Sequence, residues 1–138
     1  MASLTLAEAE QILAAAKAKT LAMGKKLSVS VVDPRGDLIA MFRIDGASWR
    51  TPLISRGKAL AAACFGRPSA DLEENAQSPV FRGLMAMEGG HMIPGQGALP
   101  VYRNGELLGA VGGSGGTGQE DEDTSRAGID ALGLSTSP

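Results

Sequence analysis

The chain has 138 residues, 43% of them apolar and 20% charged, with a formal net charge of -2 and a sequence pI near 5.4. That size suits one domain whose core needs no disulfide or structural metal. The acidic balance excludes the basic footprint of a nucleic-acid binder, and no segment approaches the roughly 20 apolar residues of a membrane span.

The first element is expected as a helix from Leu6 to Met23. Thr5 followed by Glu8 fits a capping box, in which each side chain satisfies an orphan backbone N–H of the other residue. Leu6, Ala9, Leu13, Ala16 and Thr20 fall on one face, and Gly24 closes the helix. The start has no cationic region followed by an apolar run, so no signal peptide is expected and the compartment reads as cytoplasmic.

The period then changes. Ser28–Val32 alternates as a strand, Asp33-Pro34-Arg35-Gly36 reads as a tight turn, and Leu38–Ile44 reads as the returning strand of an antiparallel hairpin. Thr51 is placed to cap a helix with Pro52 at its first position, running to Phe65 and stopped by Gly66 and Pro68. Its alanines suit close packing against a sheet or a second subunit, and Cys64, the lone cysteine, reads as a buried structural thiol. Trp49, just before this helix, reads as packing or interface.

Ser69–Asn75 reads as a short helical turn, while Ser78–Met87 is ambiguous. Met85, Met87 and Met92 serve either as core filler or as the lining of an adaptable cavity. A glycine-rich loop follows from Gly89 to Gly97. Val101–Arg103 and Leu107–Val111 flank Asn104-Gly105, a strong hairpin signal. A second glycine run, Gly112 to Gly118, leads into a last helix over Gln119–Leu132, and the tail from Ser135 reads as frayed. Hairpins alternating with helices give a single α+β domain over 1–138, with its core at about 4–133. The sheet is mainly antiparallel, with helices packed on its faces.

Several segments together resemble a known family. Val31-Val32-Asp33-Pro34-Arg35-Gly36-Asp37-Leu38 resembles its first hairpin, and Arg43-Ile44-Asp45-Gly46-Ala47 is similar to its Arg-x-Asp-Gly-Ala signature. Arg56-Gly57-Lys58-Ala59, Gly97-Ala98-Leu99-Pro100-Val101, and Gly109 through Gly116 follow in the family's order. Asp121-Glu122 ahead of Ala127-Gly128 is similar to its closing helix. The family is the GlcG/HbpS-like, or haem-degrading, domain, also found at the C-terminus of PduO proteins. The resemblance implies a profilin-like sheet, assembly as a homo-oligomer (a dimer or larger), and haem or corrinoid binding in some members. The sequence departs from the family pattern at Ala98 and Gly113.

The residues that carry chemistry are few. His91 is the only histidine, so it is the candidate acid/base and the candidate metal ligand should haem be the cofactor. With one histidine and one cysteine a closed zinc site is excluded. Gly112, Gly113, Ser114, Gly115 and Gly116 precede a helix start and form a candidate cradle for a carboxylate or phosphate, though no lysine follows as in a triphosphate-binding loop. Glu120 and Asp121 are either dipole-stabilising acids or, functionally, a catalytic general base or a divalent-metal ligand. Arg43, Arg56 and Lys58 are candidate anchors for an anionic ligand. The glycine run, the helix start, Arg43 and Lys58 are expected to face one site. The functional expectation is a binding protein for a small anionic molecule, haem or a related tetrapyrrole. The alternatives are a cofactor-independent lyase, isomerase or hydratase of a small carboxylic acid, and an accessory oligomer without catalysis. Neither a nucleic-acid nor a membrane partner is expected.

Overall fold

The structure, a computed structural model, describes residues 2–138. Helix α1 (Leu6–Met23) leads into strands β1 (Ser28–Val32) and β2 (Leu38–Arg43), then α2 (Thr51–Phe65), a 3-10 helix (Ser69–Asn75) and α3 (Pro79–Met87). Strands β3 (Ala98–Arg103) and β4 (Glu106–Ser114) and helix α4 (Gly118–Asp130) complete the chain. The strands form one antiparallel sheet in the order β2-β1-β4-β3. Helix α2 covers one face, and α1 with α4 covers the other. The α+β architecture with an antiparallel sheet is therefore as expected.

Both faces of β1 are used. Val29 and Val31 pack with Ile12, Ala16 and Ile129 in the main core, each fully buried. Burial of such a side chain stabilises the fold by about 1.5–3 kcal/mol. The intervening serines face α2, where Ser28 Oγ pairs with Thr51 Oγ1 and Ser30 Oγ with Ser55 Oγ, both at 2.8 Å. An alternation that resembles a half-solvated strand is thus buried on both sides, because each hydroxyl finds a partner on the helix.

Other expectations are corrected by packing. The buried stripe of α1 is Ala9, Ile12, Ala16 and Thr20, and Leu6 stays exposed. Thr51 is the first residue of α2 rather than its cap; its hydroxyl donates to Ser48 O, and Arg50 at the cap position makes no capping bond. Cys64 is exposed, whereas Ala62 and Ala63 pack on the sheet and Ala61 packs against Leu72, Phe81 and Met92. Partial burial of its thiol, reinforced by the Glu88 carboxylate, pushes its pKa up. Ser78 caps α3 by accepting from Phe81 N, which settles that segment as helix. Met92 is core and Met85 packs against it, whereas Met87 points to solvent. The tail is anchored at Ser135, whose N–H and C=O pair with the backbone of Tyr102. Among the described residues no helix is long and apolar enough to cross a membrane.

Candidate functional site

The structure distributes the predicted site residues, Arg43 apart, over three places. The first is internal. Lys58 Nζ lies 3.0 Å from Asp121 Oδ2 and donates to Gly113 O at 3.2 Å, while Gly116 N donates to Asp121 Oδ1 at 2.9 Å. The side chains retain only 10% and 3% of their exposure. This ion pair ties α2, β4 and the start of α4 together, and neither charge faces solvent. Glu120 is also engaged structurally. Thr117 and Glu120 form a capping box on α4, and Lys25 lies 3.4 Å from the carboxylate. The hydrogen bond from the Thr117 backbone, helped by Lys25, holds the Glu120 carboxyl below the usual range.

Gly112, Gly113 and Ser114 continue β4 rather than forming a loop. The glycines are explained by packing. A Cβ on Gly112 would strike Ser55 O and come within 2.9 Å of Ala59 N on α2. One on Gly113 would lie 2.8 Å from Asp121 O on α4. The absent side chains let helices on opposite faces approach one strand closely. Gly112 and Gly113 line neither cleft described below.

The second place is a polar cleft of about 340 Å³, lined by Lys26, Ser48, Arg50, Thr51, Ser114, Gly115 and Gly116. It holds the end of the glycine run with a pair of cations, but these are Lys26 and Arg50 rather than Arg43 and Lys58. Arg43 is exposed at the end of edge strand β2 and lines neither cleft.

The third place is a larger cleft of about 560 Å³ between the outward face of α2, the β1–β2 turn and the loop carrying His91. His91 and Arg56 meet here. Leu53, Leu60 and Ile93 supply apolar walls, and Arg35, Asp37 and Glu88 complete the rim. Among the described residues neither Arg35 nor Arg56 forms an ion pair, and the His91 ring makes no hydrogen bond. Gly57 sets this geometry: Ile93 N donates to Gly57 O at 3.0 Å, and a Cβ on Gly57 would lie 2.5 Å from His91 O. The loop therefore rests directly on the helix backbone.

Arg35, Leu53, Leu60 and Ile93 were not singled out from sequence. The spacing of Leu53, Arg56 and Leu60 on a helix did carry the signal, since i, i+3 and i+7 share one face. Among the described residues there is no cluster of His, Cys, Asp and Glu able to hold a metal ion. A haem iron, by contrast, can be held by a single protein imidazole.

Comparison with known proteins adds the family context. A family model described as haem degrading protein HbpS-like matches residues 4–130. An uncharacterised 15.0 kDa protein from the dhaT-dhaS intergenic region of Citrobacter freundii is 33% identical over 133 residues, which span 96% of this chain and 94% of that protein. The crystal structure of Klebsiella pneumoniae protein ORFY is 30% identical with a TM-score of 0.88, covering 96% of this chain and 92% of that one. A crystal structure of a PduOC:haem complex has a TM-score of 0.89 at 24% identity, covering 99% of both chains.

Proposed function

This chain belongs to the HbpS-like family, and from that premise we propose that it binds haem or a related tetrapyrrole in the cleft between α2 and the His91 loop. The observation that carries the reading is the make-up of that cleft. An imidazole and two guanidiniums that among the described residues have no hydrogen-bonded or ion-paired partner line one cleft with leucine and isoleucine walls. A tetrapyrrole needs all three: apolar surface for the macrocycle, cations for its carboxylates, and an axial donor for its iron. His91 would hold the iron, Arg35 and Arg56 the propionates, and Leu53, Leu60 and Ile93 one side of the ring. When bound, haem would supply a redox-active iron. Asp37 and Glu88 share the rim, so the ligand's acidic groups are directed towards the arginines and away from these carboxylates.

Use of Lys58–Asp121 and Thr117–Glu120 as internal connections supports a binding role over general acid–base catalysis by Glu120 or Asp121. The experiment is a haemin titration of wild type, His91→Ala and Arg56→Ala followed at the Soret band. We also propose self-association. Trp49, two residues ahead of α2, and Leu53, in its first turn, are 72% and 63% exposed, and large exposed apolar side chains favour an interface.

A further inference from the structure

The polar cleft at the other end of the sheet shares no lining residue with the His91 cleft. The turn lining the His91 cleft follows the end of β1, whereas the polar cleft lies beside Ser114, which pairs with Ser28 at the start of β1. We propose that this cleft is a second ligand site, one that takes the phosphate group of a small phosphomonoester.

Ser114 provides the first argument. Its side chain points to the α2 side of the sheet. Its register partner Ser28 bonds Thr51 on that face, and Gly112, two residues earlier, abuts α2. The residue is only 5% exposed, yet among the described residues its hydroxyl has no hydrogen-bond partner. Among the described residues no fully enclosed side-chain polar atom is left unsatisfied, so this hydroxyl keeps access to the cleft. A hydroxyl without a protein partner that opens on a cavity is free to pair with water or with a bound group there.

Charge gives the second argument. Lys26 and Arg50 both line the cleft, and among the described residues neither forms an ion pair, whereas the adjacent Lys25 is taken by Glu120. The Lys26 stem lies 3.6 Å, and its ammonium 4.0 Å, from where a Cβ on Gly46 would lie. Among the described residues no carboxylate lines the cleft itself; Asp121 and Glu120 stand behind Gly116, where Asp121 Oδ1 accepts from Gly116 N at 2.9 Å and Glu120 is taken by Lys25. The uncapped start of α2, with Arg50 at its cap position and Thr51 at its first residue, adds the positive end of a helix dipole. Two positive charges, the Ser48 and Ser114 hydroxyls and a helix start match the several oxygens of a dianionic phosphate better than the two oxygens of one carboxylate.

The test is binding of inorganic phosphate at constant ionic strength, measured by calorimetry and phosphorus NMR line broadening. It compares wild type with Lys26→Ala/Arg50→Ala, Ser114→Ala and His91→Ala. Wild type should bind phosphate saturably. The double variant should bind at least about tenfold more weakly, from the loss of two charge-assisted bonds. Ser114→Ala should be severalfold weaker while keeping its thermal stability, because its hydroxyl has no protein partner to lose. His91→Ala should bind as wild type does. Absence of saturable binding, equal affinity in the double variant, loss of binding in His91→Ala, or binding of oxalate but not phosphate would each overturn the proposal.

Discussion

Lys58 and Asp121 meet at 3.0 Å with almost no access to solvent, although 63 residues separate them in the chain. This contact joins the helix on one face of the sheet to the helix on the other, around the close approaches at Gly112 and Gly113. Removing one partner leaves an uncompensated buried charge. Lys58→Ala should therefore lose about 3–5 kcal/mol of stability in urea denaturation. Lys58→Met combined with Asp121→Leu should lose less than the sum of the two single changes. Strict additivity would show that the pair is not coupled.

Gly57 tests how the His91 loop is positioned. Alanine favours helix over glycine by about 1 kcal/mol, and Gly83→Ala in α3, where a Cβ meets nothing within 4 Å, should show that gain. Gly57→Ala should instead be destabilised by about 1–3 kcal/mol, because its Cβ is driven into His91 O and the Ile93 side chain. It should also weaken haemin binding. Equal melting-temperature gains in the two variants would contradict the packing described.

Acid stability should depend on two capping boxes. Glu8, hydrogen-bonded to Arg103 and capping α1 through Thr5, and Glu120, capping α4 through Thr117, both have carboxyls held below their ordinary range. A carboxyl lowered in the folded state contributes stability that is full above its unfolded pKa and is lost as pH falls through its folded value. The Glu8→Gln/Glu120→Gln variant should thus be less stable than wild type at neutral pH. The gap should close as pH drops below about 4.3. A gap independent of pH would show that the carboxylate charges contribute nothing.

If Trp49 and Leu53 form an interface, light scattering at micromolar concentration should give a multiple of 14.1 kDa. Trp49→Glu/Leu53→Lys should return the chain to that mass. A monomer in both samples would contradict self-association.

Much of the fold was legible in the sequence because local signals agreed with tertiary structure. The Thr5/Glu8 box, the Asp33–Gly36 turn and Asn104-Gly105 all lie where their chemistry predicts. Asn104 and Gly105 both adopt the positive φ that such a hairpin requires. The candidate site was less legible. Lys58 and Arg56 are two residues apart on α2, so they point in different directions: one into the protein, the other into a cleft. Gly112 and Gly113 resemble a ligand loop, but they answer a packing demand that appears only when two helices close on one strand. Arg35 and Ile93 reach the His91 cleft from remote loops, and no local pattern links them to it.

His91, with Arg35 and Arg56, is proposed to form a haem site, and the Soret titration reads that site out. Wild type should give a saturable, shifted band. His91→Ala should abolish the shift, and Arg56→Ala should keep the band position while weakening binding by roughly tenfold. A wild-type spectrum that never saturates, or a His91→Ala spectrum identical to wild type, would contradict the account.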